Sequence, residues 1–90
     1  MIDGAQLPQL QGSERQIQWA NRIRALWLDD VNDEVEEYGE RCEQAYKQVL
    51  ERLELQKANW WIDRQHSAGP WLRLEADKLG AFNHRTSEGS

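Results

Sequence analysis

The stretch Val31-Asn32-Asp33-Glu34-Val35-Glu36-Glu37-Tyr38-Gly39-Glu40-Arg41-Cys42-Glu43-Gln44-Ala45-Tyr46-Lys47-Gln48-Val49-Leu50-Glu51-Arg52-Leu53 decides the fold. With hardly an exception its apolar positions run Val31, Val35, Tyr38, Cys42, Ala45, Val49 and Leu53, in steps of four and three, which lays one seam along a helix. At 1.5 Å per residue, a helix over 33–55 is about 34 Å long. Gly39 inside it is worth up to about 1 kcal/mol less than alanine, which predicts close packing or a weak point there.

Downstream, Leu53-Glu54-Leu55-Gln56-Lys57 loses the register, and Ala58, Trp61, Ile62 and Gln65 resume it at a shifted angle. With no Gly or Pro between Gly39 and Gly69, continuation to about residue 65 is favoured over a break near 56. His66-Ser67-Ala68-Gly69 reads as a turn, and Pro70 suits the first position of a last helix, where its missing N–H goes unused. Trp71, Leu72, Leu74, Ala76 and Leu79 give that helix an apolar side, and Gly80 supplies a left-handed cap. The polar segment 81–90 is expected to be a disordered tail.

Upstream, Asp29, Asp30 and Asn32 interrupt the pattern, and their short polar side chains favour a turn over a helix interior. A first helix precedes them. Ser13 with Gln16 three residues later matches a capping box, and Ile17, Trp19, Ala20, Ile23, Leu26, Trp27 and Leu28 form a broad apolar arc. Residues 1–12 read as an extended lead-in whose Leu7 and Leu10 tuck against a helix. The expected fold is all-α: an antiparallel helical hairpin with a long second helix plus a short C-terminal helix, in a single domain over 1–80. That pairing brings Trp27 near Val35, and Trp19 near Cys42 and Ala45.

A 90-residue chain has little interior, and Trp19, Trp27, Trp60, Trp61 and Trp71 are the means of making it efficient. No run approaches the roughly 20 apolar residues of a membrane span, and the N-terminus lacks a basic start followed by an apolar stretch, so a cytoplasmic protein is expected. A lone cysteine, Cys42, excludes an internal disulfide and a zinc site of several thiolates, and reads as a small buried apolar residue. Sixteen acidic against eleven basic residues give a formal net charge of -5, the wrong sign for a general nucleic-acid binder.

Asp29, Asp30, Asp33, Glu34, Glu36, Glu37, Glu40 and Glu43 fall within fifteen residues, with Arg41 the only opposing charge. One reading is a solvated face whose early carboxylates complement the positive end of the second helix and pair with Arg22 and Arg24. The other is an anionic surface that docks a protein with a basic surface, by imitating nucleic acid. Carboxylates strung along a helix do not converge as calcium ligands do, so no metal site is expected. In Trp60-Trp61-Ile62-Asp63-Arg64, adjacent indoles stand about 100° apart. Either one ring is in the core and the other is covered by the final helix or the lead-in, or Trp60 and Arg64 form a recognition anchor. His66 and His84 lie in a turn and a tail, no serine occupies a nucleophile elbow, and no Gly-rich loop cradles phosphate, so no catalytic residue or cofactor is expected.

Gly12-Ser13-Glu14-Arg15-Gln16-Ile17, Trp19-Ala20 and Ile23-Arg24 resemble a G-S-E-K/R-Q-I-x-W-A-x-x-I-R segment of small bacterial and phage-borne helical proteins, and Trp61-Ile62-Asp63-Arg64 resembles the W-I-D-x-R element that follows it, with Arg64 one position early. The resemblance covers about a quarter of the chain. It implies a helical accessory domain and brings no activity, cofactor or catalytic residue. The acidic run lies outside it.

The function expected is non-catalytic protein interaction, in particular inhibition of a host nucleic-acid-handling complex in the manner of anti-CRISPR proteins. Two rivals are a homodimer through the second-helix seam and a direct nucleic-acid binder using Arg15, Arg22 and Arg24.

Overall fold

The first helix starts where the capping box places it. In the computed structural model, which describes residues 1–82, the Ser13 side chain accepts from the Gln16 N–H at 3.2 Å, and the Gln16 side chain accepts from the Ser13 N–H at 3.1 Å. The described residues hold four α-helices and no strands: α1 Glu14–Tyr38, α2 Glu40–Leu50, α3 Ala58–Asp63 and α4 Ala68–Lys78, with 3-10 turns at Gly4–Gln6 and Leu53–Gln56. The all-α class therefore holds, but the long helix of the hairpin is the first one. At 25 residues α1 is about 37 Å long.

The turn expected at Asp29, Asp30 and Asn32 does not form. Leu28, Val31 and Val35 are buried on the inner side of α1, and their burial outweighs the modest helix cost of the short polar residues. Asn32 has its own reason to stay, because its side chain accepts from the Ile2 N–H at 2.7 Å and donates to the Ile2 carbonyl at 2.9 Å. Reversal comes instead at Gly39, whose φ of 92° lies in the region that favours glycine. Twelve residues along a straight helix would separate Glu34 from Tyr46 by about 18 Å. Instead the Tyr46 hydroxyl donates to Glu34 at 2.6 Å, so α2 folds back on α1.

Nor does the second helix run on to residue 65. Arg52 is extended, the 3-10 turn follows, and α3 begins at Ala58. The backbone groups freed by that break find tertiary partners. Gln11 donates to the Gln56 carbonyl at 2.7 Å and accepts from the Ala58 N–H at 2.8 Å, while the Trp61 indole donates to the Leu55 carbonyl at 2.8 Å. The lead-in is thus a packed strap, with Ile2, Leu7 and Leu10 all buried.

Contacts then climb α1 in order: Gln16 with Asn59, Trp27 with Gln65, Glu34 with Arg73. Both α3 and α4 run alongside α1 in its own direction, and α2 is the return leg. α4 opens two residues before Pro70, which is harmless because the first four N–H groups of a helix lack intrahelical acceptors. Gly69 is required by proximity, since a Cβ there would lie 2.3 Å from the Trp27 ring. Gly80, with φ 89°, ends the helix as expected; its N–H donates to Asp77 and that of Ala81 to Ala76. Ala81 is fully buried and Phe82 packs edge-on to Tyr38, so these two residues belong to the packed body and not to the tail; 83–90 lie outside the described residues.

Candidate partner-binding surface

Helix phase divides the acidic run. Asp29, Asp30, Asp33, Glu36 and Glu37 are exposed on the outer side of α1, within an arc of about 120° at 100° per residue. None of the five forms an ion pair among the described residues. Because α1 continues through them, they crowd its C-terminal half, the negative end of its dipole, where carboxylates are unfavourable. The expected complement to a helix N-terminus applies only to Glu40 and Glu43, in the first turn of α2.

Of the other three acids, Glu40 is exposed and accepts only from the Gln44 amide at 3.5 Å, while Glu34 and Glu43 are engaged by other elements. Glu43 pairs with the N-terminal ammonium of Met1, and Glu34 takes both the Tyr46 hydroxyl and the Arg73 guanidinium. Burial, followed by the bond to Glu34, raises the Tyr46 pKa above the phenolic range. The Arg73 guanidinium is held more firmly protonated by Glu34. Cys42, also fully buried, is pushed up to about 11, first by desolvation and then by the Glu34 charge. That thiol is a poor nucleophile.

Trp60 does not form an exposed anchor. Its ring is 7% exposed, sandwiched edge-on by Trp61 at 4.9 Å and Trp71 at 5.0 Å, with Arg64 lying 4.9 Å over it. Trp61 is wholly buried. Covering by the final helix, the structural one of the two readings, is what the geometry displays. The seam also closes within one chain, since Val31, Val35, Cys42, Ala45 and Val49 are buried; only Leu53 stands out, at 79% exposure.

Besides Met1 and Leu53, the large apolar side chains that face outward are Leu74 and Leu79, which the pattern set on the apolar side of the last helix, and two that it set in the apolar arc of the first. Trp19 is 49% and Leu26 69% exposed, both on the outer face of α1. Trp19 does not reach Cys42 and Ala45, the residues expected to cover it, because α2 starts beyond Tyr38 and packs on the other side. Arg15 and Arg22 flank them, exposed and without ion pairs among the described residues. Arg24 leaves this set: it is buried, donates to the Pro8 carbonyl and Asn21, and desolvation lowers its pKa.

Elsewhere the chemistry is sparse. An open groove of about 1110 Å³ runs between the strap and α1, and its buried charged group is the already bonded Arg24. Among the described residues no three His, Cys, Asp or Glu side chains converge as metal ligands, and no helix is long and apolar enough to cross a membrane. The outer face of α1 is anionic at one end and aromatic and cationic at the other. No family model, curated protein or solved structure matches this chain.

Proposed function

We propose that the chain is a non-catalytic protein-interaction module, acting in the cytoplasm, whose acidic half of α1 docks on a protein with a basic surface. One observation carries this reading: five exposed carboxylates without ion pairs among the described residues, on one face and at one end of a helix. From Asp29 to Glu37 the helix rises about 12 Å, so the face carries a charge every 2–3 Å or so. Duplex DNA carries one per about 1.7 Å of axis. A density this close to nucleic acid supports a nucleic-acid-handling complex as the target, with inhibition by occupancy of its basic groove, the mode of an anti-CRISPR protein. The resemblance of 12–24 and 61–64 to bacterial and phage-borne proteins agrees with that setting.

The test uses the wild-type protein and a variant with Asp29→Asn, Asp30→Asn, Asp33→Asn, Glu36→Gln and Glu37→Gln. Assemblies captured from lysate are assayed for nucleic-acid binding with and without each protein. Competition by the wild type and none by the variant, at equal helicity, is the expected result. Equal capture and equal competition by both would remove the acidic face from the account.

A further inference from the structure

Read along the outer side of α1, the exposed positions Arg15, Trp19, Arg22, Leu26, Asp29, Asp33 and Glu36 follow steps of four and three, the spacing of a coiled-coil seam. This is a second seam, on the opposite side of the helix from the buried one. Its charges are segregated: cations and an indole precede Leu26, and only acids follow it. A merely solvated helix is stabilised by opposite charges three or four residues apart, and this face has no such pair.

We infer that a second copy of this chain docks antiparallel along this face, about a two-fold axis through Leu26. In that register Leu26 meets Leu26 once, on the axis, and Arg22 meets Asp30, Trp19 meets Asp33 and Arg15 meets Glu37, each of these three pairs formed twice. The Trp19 indole N–H, which has no acceptor among the described residues, faces a carboxylate. A parallel pairing would set like charges against each other, and a staggered one would satisfy only one half of the face. The surface is thus self-complementary in the sense a two-fold interface requires. One helix pair of this length lies at the low end of specific interfaces, below about 1,200 Å² in total, so the dimer is reversible and salt-sensitive.

This inference does not rest on the proposed function, and its test uses the purified protein alone. Sedimentation equilibrium over a micromolar concentration series is expected to give a monomer–dimer equilibrium that weakens with salt. Arg15→Glu with Arg22→Glu, and separately Asp30→Arg with Glu37→Arg, should each weaken self-association about tenfold or more, and an equimolar mixture of the two should recover a heterodimer. Leu26→Arg, which sets like charges on the axis, should abolish association without loss of helicity. A wild type that stays monomeric throughout, or a dimer indifferent to these reversals and to salt, would overturn the inference. A monomer that nonetheless competes with nucleic acid would leave the proposed function standing while this one falls.

Discussion

Glu34 faces inward and is bonded to Tyr46 and Arg73, whereas Asp33, Glu36 and Glu37, its near neighbours in the chain, face outward and form no ion pair among the described residues. Side chains of the same charge within four residues thus do different work. The inner carboxylate joins α1, α2 and α4; the outer ones contribute a field. A charge run is therefore not a unit of function until the helix phase divides it.

The contrast can be broken from the inside first. Trp61→Ala, at a fully buried ring, is expected to cost about 3–5 kcal/mol in chemical denaturation. Glu34→Ala leaves the Tyr46 hydroxyl and Arg73 without their carboxylate and should cost about 1–3 kcal/mol by the same measurement. An outcome near zero would mean that Glu34 behaves like its outer neighbours. Next comes the pH dependence that Cys42 imposes, a loss of stability absent at neutral pH and felt only in alkali. Its folded pKa is raised, so the stabilisation is complete below the ordinary thiol value near 9 and is lost as pH rises through about 11. Denaturation at pH 7, 9 and 11 should show that decline, and Cys42→Ala should make it shallower, leaving the loss that Tyr46, whose folded pKa is also raised, adds above its ordinary value near 10. Least of all, neutralising the five outer acids should change stability by no more than about 0.5 kcal/mol, towards greater stability as like-charge repulsion is relieved. A large loss there would make the outer face structural.

Much of the fold is legible in residue spacing. The capping box, the Gly80 cap and the enclosure of Cys42 follow from local chemistry, and each is found where the pattern puts it, whereas the seam is buried from Val31 to Val49 but divided between two helices and without Leu53. What escapes the sequence depends on distant partners. Asn32 looks like a turn former until Ile2 claims both ends of its amide. The break after Leu50 has no Gly or Pro to announce it, because the signal was the lost register at 53–57 and the support comes from Gln11. Gly39 was visible as a weak point, yet only its positive φ makes it the reversal. Of the candidate site, the acids were legible as a cluster but their division was not, because it required knowing that α1 does not stop at Asp29. Trp60 drops out for the same kind of reason, since Trp71, eleven residues on, packs against it and Arg64 is spent lying over its ring.

Ending α1 on Glu36, Glu37 and Tyr38, with no basic residue in the last turn, has a consequence for how the molecule breathes. Backbone amides in that turn should be among the first in the helical body to exchange with solvent, since fraying there relieves both the repulsion and the mismatch with the peptide dipoles. Any cationic surface that settles on the face removes the reason to fray. Slowed exchange confined to the end of α1, with a rise in melting temperature, would then report engagement even for a partner not yet seen at atomic detail.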